Sequence, residues 1–384
     1  MKLCFVGSAS SYHVSKWVSF YGQHGHDVHI ISTSPASIEG VTVHYLRNPA
    51  KLPVFRHVFY WTYWNEVRRL IRKISPDLVH ALQINIYSAL ASTVCTCPFI
   101  ITPFGGDVLI NPNKSFLARK YAQMTLGRAD MVVCDGVHHI RPTLQKFGDE
   151  NANVQVVYFG VDVDRYRPLE RDEKLRTELN LGDSPTVISL RHLMPVYNID
   201  TLLHAIRLVL NRVPQAKFVI VGTGPEEARL KQLASDLGIL DGTRFVGWVD
   251  GVNLPRYFSI ADIYVSTSLS DTGLASSTAE AMACGVVPVI TDFGDNSLWV
   301  KNGVNGYLFP LRDAPALAER LNTLLLAPED RKAMALRTRQ VIVDGYNWRT
   351  EMTKMEGIYS SLIAAQAGCK GRVDGAARES GLSA

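Results

Sequence analysis

Nowhere does the sequence run apolar for the roughly 18 residues that a membrane-spanning helix needs. Its start, Met1-Lys-Leu-Cys-Phe-Val-Gly7, has only a brief apolar stretch, which suits a first strand and is too short for a secretory leader. Cysteine is sparse, with Cys4, Cys95, Cys97, Cys134, Cys284 and Cys369 the only six. Cys95-Thr-Cys97 has the wrong spacing for a redox or zinc pair, and no second pair complements it. Free thiols in a reducing cytoplasm are therefore expected. Neither sign of charge dominates: 40 Lys and Arg stand against 36 Asp and Glu, a formal +4 that gives no nucleic-acid footprint. What is present is 47% hydrophobic and 20% charged residues over 384 positions, a globular composition with length enough for two buried cores.

Strand and helix patterns alternate from the first residue. Leu3–Val6, Val28–Ser32, the stretch led by Pro76-Asp-Leu-Val-His80, Phe99–Thr102 and Met131–Cys134 read as strands, with a helix around Val14–Gly22. The rhythm restarts at Thr186–Leu190 and continues through Phe218–Val221, Arg244–Val246, Ile263–Ser266 and Val287–Thr291. This alternation predicts an α/β protein of two Rossmann-like, doubly wound domains. Ligands of such sheets bind beyond the carboxyl ends of the strands, so two facing domains predict a cleft. The expected divisions are an amino-terminal domain over 1–165, a second domain over 166–345, an amphipathic helix over 346–367 and a disordered tail over 368–384.

The stretch from Asp271 to Gly285 carries the most chemistry. Ser276, Ser277 and Thr278 crowd a helix start, and Gly285 sits where a left-handed carboxyl cap belongs. A strand–loop–helix–strand unit of this kind aims unpaired backbone N–H groups above the sheet, a site for phosphate.

With this stretch, seven motifs stand in order: Gly25-His-Asp-Val28, Pro76-Asp-Leu-Val-His80, Gly105-Gly-Asp107, Gly160-Val-Asp-Val-Asp-Arg-Tyr-Arg-Pro168, Val221-Gly-Thr-Gly-Pro225, Glu280-Ala-Met-Ala-Cys-Gly285 and Asn302-Gly-Val-Asn-Gly-Tyr-Leu-Phe309. Together they resemble the retaining family-4 nucleotide-sugar glycosyltransferases of the GT-B fold. The resemblance implies transfer of a sugar from a nucleoside diphosphate carrier to a glycan or lipid-linked acceptor, in cell-surface polysaccharide or glycolipid synthesis. It implies no cofactor beyond the donor co-substrate, and a final helix that crosses back onto the first domain.

Residue by residue, the resemblance makes Glu280 the ligand of the donor ribose. Ser277-Thr-Ala-Glu280 also fits a capping box, in which Glu280 would close on the helix start. The family's acid eight positions earlier falls on Thr272; Asp271 beside it can replace it if the loop gains one residue, with Gly273 supplying the backbone freedom. Otherwise Asp271 is a solvated loop residue or an Asx turn. Arg191, ending an apolar strand, can fork onto diphosphate oxygens. Tyr197 stands about where a phosphate-binding lysine is usual; a phenol can hydrogen-bond a phosphate but not neutralise it. In the first domain Asp107 matches the family's aspartate, with capping as its structural alternative. Phe104 replaces a cleft histidine. His13, Gly105, Gly106 and His80 are candidates for the acceptor side or cleft, against a surface role for His13 and a buried one for His80.

Two features are set aside. Gly222-Thr-Gly224 lacks the third glycine of a dinucleotide fingerprint and reads as a turn near the nucleobase. Asp162-Val-Asp164 has no further ligand cluster, so no metal site is expected. Residues 55–73 mix aromatics with Arg68, Arg69, Arg72 and Lys73. They suit either a packed amphipathic helix or a peripheral contact with the inner face of a membrane. Rival functional readings are a non-catalytic sugar-nucleotide-binding or partner protein and, with less support, a sugar-nucleotide epimerase.

Overall fold

A computed structural model describes residues 1–46, 56–104, 106–109, 111–147, 153–270 and 273–380, without the side chains of 56–61, 106, 109, 114, 137–140, 143 and 368–380. Among these residues thirteen strands form two wholly parallel sheets. The first contains β1 (Lys2–Val6), β2 (Asp27–Ser32), β3 (Val41–Tyr45), β4 (Leu78–Leu82), β5 (Phe99–Thr102), β6 (Met131–Cys134) and β7 (Val154–Val156), in the order β3-β2-β1-β4-β5-β6-β7. The second contains β8 (Thr186–Leu190), β9 (Lys217–Val221), β10 (Thr243–Gly247), β11 (Ile263–Ser266), β12 (Val287–Thr291) and β13 (Tyr307–Phe309), in the order β10-β9-β8-β11-β12-β13. In each sheet the chain winds outward from one strand, then returns beside it and winds the other way. The turning points are β1/β4 and β8/β11.

The chain divides into two compact units: Met1–Tyr158 together with the residues from Glu351 onward, and Phe159–Thr350. The divisions therefore lie at 158/159 and 350/351 instead of 165/166 and 345/346. Backbone pairing within the second unit explains this. Val161 N–H donates to Tyr346 C=O at 2.8 Å, and Trp348 N–H donates to Val161 C=O at 2.9 Å. Gly160 (φ +64°) passes so close that a Cβ there would lie 2.7 Å from Trp348 Cα. The Gly160–Asp164 segment is thus bound into the second unit by the pairing of Val161 with Tyr346–Trp348, where composition alone reads as linker.

Each unit has its own core. In the second, Val187, Ile220, Val265 and Val289 meet Leu202, Leu203 and Ile206 of the helix Ile199–Leu210, and Leu317 and Leu321 of the helix Ala314–Leu326. The buried positions Ile199, Leu202, Leu203, Ile206 and Val209 repeat at helical spacing and form one apolar stripe. Each such side chain contributes about 1.5–3 kcal/mol by leaving water. In the first unit Val6, Val79, Ala81, Ile101 and Val132 pack with Val67, Ile71 and Ile74 of the helix Arg56–Ile74. The closing helix runs Trp348–Ser380, beginning later than Tyr346 and continuing past Ala367. Its Met352, Met355 and Tyr359 are wholly buried.

Candidate active site

In the second unit the turning point between β8 and β11 leaves a crevice at the carboxyl ends of the strands, the general binding position of open α/β sheets. Arg191 follows β8 directly. Its Nε and Nη2 donate to the hydroxyl of Ser266, the last residue of β11, at 3.2 and 3.1 Å. The half-buried guanidinium lies over the ring of Tyr197, 5.1 Å from the centroid. Two neighbours therefore fix a planar cation across the turning point. Tyr197 serves as the floor beneath Arg191, and its ring also packs on the core.

The loop after β11 is held from both sides. Thr267 Oγ1 donates to Tyr197 C=O at 2.8 Å, Leu269 N–H donates to Val196 C=O at 2.9 Å, and Thr291 Oγ1 donates to Ser268 C=O at 2.8 Å. Asp271 and Thr272 lie outside the described residues. Beyond them Gly273 is buried, and Tyr346 Oη donates to Leu274 C=O at 3.2 Å. The next helix runs Ser276–Ala283 with Ala275 as its N-cap and no side-chain cap, so the expected capping box does not form. The serine that would supply it is used elsewhere: Ser277 Oγ meets Tyr264 Oη at 2.8 Å in the interior. Thr278 is buried as well, so neither hydroxyl faces the crevice. What the helix start offers is backbone, because helix geometry leaves the N–H groups of Ser276, Ser277 and Thr278 without intrahelical acceptors. Ser276 and Glu280 remain partly exposed on this helix, and Gly285 takes the expected left-handed conformation at φ +77°.

The Gly222-Thr-Gly224 turn has a structural reason for its glycines. A Cβ at Gly222 (φ +133°) would sit 2.1 Å from Arg191 O, and one at Gly224 would sit 2.2 Å from Leu193 O. The turn presses on the backbone that carries Arg191, and Leu193 N–H donates to Thr223 C=O at 2.9 Å. Nearby, His192 and the 67% exposed Trp248 stack with ring centroids 6.0 Å apart. Sequence reading passed over this shelf and over Ser266. Ser266 was findable, since the last residues of β8 and β11 must meet at the turning point.

In the first unit the loops after β1, β4 and β5 converge. His13, exposed in the first turn of the helix Tyr12–Gln23, faces the Phe104 ring edge-on at 6.4 Å. Asp107 is buried, and its two carboxylate oxygens accept Ile84 N–H at 2.6 Å and Phe104 N–H at 2.9 Å. Asp107 thus ties two loops together. Gly106 opens the short helix Gly106–Leu109, while Gly105 lies outside the described residues. Gln83, just past β4, is held at φ +97°, a strained position for a residue with a Cβ. No turn chemistry in its sequence signals it.

His80 does not join this group. It is fully buried within β4, with Nδ1 2.6 Å from Tyr359 Oη and Nε2 2.7 Å from Thr102 Oγ1. Burial pushes its pKa down to about 3. The placement at the cleft is corrected accordingly: His80 is the middle residue of a strand buried along its whole length, not its end. The helix Arg56–Ile74 buries Tyr63, Val67, Ile71 and Ile74 and exposes Arg69, Arg72 and Lys73, with Trp64 Nε1 donating to Thr93 Oγ1 at 3.2 Å. Phe55 lies outside the described residues. Among the described residues no three His, Cys, Asp or Glu side chains group as a metal site, and no helix is long and apolar enough to cross a membrane.

Two family models match this chain in succession: Glycosyl transferase 4-like over residues 2–136 and Glycosyl transferases group 1 over 170–341. By these two models, which together span most of the chain, it belongs to the glycosyl transferases. A curated member of similar sequence is the GDP-mannose-dependent alpha-(1-6)-phosphatidylinositol monomannoside mannosyltransferase of Mycolicibacterium smegmatis, 31% identical over 52% of this chain and 54% of the relative. The chain thus spans about half the length of the curated relatives it matches. Similar solved structures of this GT-B fold cover more. Sucrose-phosphate synthase from Thermosynechococcus elongatus gives a TM-score of 0.79 at 20% identity over 95% of this chain and all of that one. Anabaena HepE in complex with UDP and glucose gives 0.78 at 19% identity over 94% and 100%. At such identities these structures establish the fold alone.

Proposed function

We propose that the protein is a retaining glycosyltransferase that moves a sugar from a nucleoside diphosphate carrier to a glycan or lipid-linked acceptor in cell-surface polysaccharide or glycolipid synthesis. The observation that carries this reading is Arg191, held by Ser266 and Tyr197 at the β8/β11 turning point, in the unit whose β11 loop leads to the helix of Glu280. A forked cation and a helix start are what a departing diphosphate requires, since negative charge grows there as the sugar–oxygen bond breaks. The amides of Ser276, Ser277 and Thr278 add their dipoles, and Glu280 takes the ribose hydroxyls. The His192–Trp248 shelf supplies a flat face on which a base can stack.

Retention follows if the acceptor hydroxyl attacks the face from which the diphosphate leaves. The hydroxyl proton passes to a diphosphate oxygen, so no separate protein base is needed. Positive charge comes from Arg191 and from backbone amides, so the reading also needs no metal. Acceptor recognition is assigned to the first unit at His13, Gly105 and Gly106, with Asp107 fixing their loop. The relative named for GDP-mannose and the structure holding UDP make both nucleotide families the donors to try.

The test is a thermal-shift series with uridine and guanosine diphosphate sugars on the wild type and on Glu280→Ala. A donor at 100 times its dissociation constant should stabilise the fold by about 2.7 kcal/mol. The expected result is a rise of a few degrees with one nucleotide family, lost in the variant. A well-folded wild type that responds to neither family would overturn the assignment.

A further inference from the structure

We propose that Cys95 and Cys97 form a reversible dithiol–disulfide couple, a modification site in the first unit for small-molecule disulfides. The helix Ile86–Val94 ends at Cys95, whose backbone is extended (φ −72°, ψ 132°), and the chain reverses through Thr96 and Cys97 into Pro98 and β5. That reversal brings the two sulfurs to 3.3 Å, and the Cys95 thiol also meets Cys97 C=O at 3.1 Å. The spacing lacks the helical register of a two-residue spacer, and here a non-helical turn brings the two free thiols together.

Access distinguishes the pair from the other described cysteines. Cys95 and Cys97 are half-buried and Thr96 between them is exposed, whereas Cys4, Cys134 and Cys284 are buried. The two sulfurs are also unequal. The hydrogen bond from Cys95 pulls the Cys97 thiol below its ordinary range against the cost of burial, with the Cys97 and Val79 backbone N–H groups adding to it. The same contact and burial push the Cys95 thiol up. Cys97 is then the attacking group and Cys95 the resolving one.

The chemistry balances as two exchanges. Cys97 thiolate attacks a sulfur of the small disulfide and expels one thiolate, forming a mixed disulfide. Cys95 then gives up its proton, and its sulfur attacks Cys97 Sγ and expels the second thiolate. The two protein thiols are oxidised to one disulfide, and one small disulfide is reduced to two thiols. The pair lies where β5 begins, the end of the sheet opposite the candidate acceptor loops. Thr96 C=O accepts Gln366 Nε2 at 3.0 Å, so closure of the couple is felt by the closing helix.

The experiment treats the native full-length protein with oxidised glutathione, quenches with acid and alkylator, and maps the tryptic peptide Ile74–Lys114 by mass. The expected result is loss of two hydrogens from that peptide, reversed by dithiothreitol. Cys95→Ser should stop at a glutathione adduct on Cys97, and Cys97→Ser should react about tenfold more slowly. A trivalent phenylarsenical, which bridges close dithiols, should occupy the same peptide of the wild type and so gives a readout independent of variant folding. The proposal is overturned if the wild type keeps both thiols, stalls as the mixed disulfide, or binds the arsenical elsewhere.

Discussion

At His80 burial lowers the imidazole pKa from its ordinary 6.5 to about 3. The unfolded chain therefore binds one more proton than the folded chain between those values. Stability from this group is complete above pH 6.5 and is lost as pH falls toward 3. In His80→Asn, which keeps a donor and an acceptor but does not titrate, the urea midpoint should fall less steeply over that window than in the wild type. Equal slopes would show that His80 does not govern the acid limb. Arg191 is the contrasting residue, placed for charge instead of depth. Arg191→Ala should lower kcat with the responding donor by about 10²–10³, and Arg191→Lys should recover only part because a lysine cannot fork. Initial rates on proteins of matched melting temperature decide this; full activity in the alanine variant would remove Arg191 from the diphosphate. Residue type at Arg191 was legible because it follows an apolar strand. Direction was not: the tilt of the helix start turns Ser277 and Thr278 inward, and burial of β4 turns His80 inward. No run of letters reports those angles.

At the scale of elements, ten of the thirteen strands announce themselves as apolar runs, and the three that do not are informative. β3, β7 and β13 are edge strands, paired on one side only. Val-Thr-Val-His-Tyr and Val-Gln-Val carry no fully buried position, so the pattern that reveals an interior strand is absent there. The glycine turn after β9 shows the converse, where a motif is legible but its reason is packing. Gly224→Ala puts a methyl against the Leu193 carbonyl. It should cost about 1–3 kcal/mol and, by shifting the backbone from Arg191 to Leu193, weaken donor binding as well. Calorimetric titration beside a denaturation curve tests the pair of effects; a variant with unchanged stability and affinity would show that the loop yields freely.

For the whole molecule, the division of the cores matters most. The second unit is one continuous stretch, whereas the first draws Met352, Met355 and Tyr359 from a segment beyond it. A fragment of residues 159–350 should fold cooperatively on its own. A fragment of residues 1–158 lacks the partners of Trp17, Tyr21 and His80 and should not. Restoring the missing helix as a separate peptide should rescue it. Circular dichroism melts of the three preparations give the answer, and a stable 1–158 fragment would refute the dependence. The alternation of strands and helices made two domains legible. The ownership of the closing helix came only with the family resemblance, because a buried Tyr359 looks the same in sequence whichever core it joins.

The dependence of His80 on Tyr359 also sets a clock for synthesis. At about 5–20 residues per second, ribosomes make the closing helix some 10–40 s after the first sheet is complete. Through that interval the first half of the chain holds an open gap over Trp17 and Tyr21, while the unit made after it can already close. The order of folding then runs against the order of translation, and a nascent chain that stops early stays open to chaperones and proteases in the part that was made first.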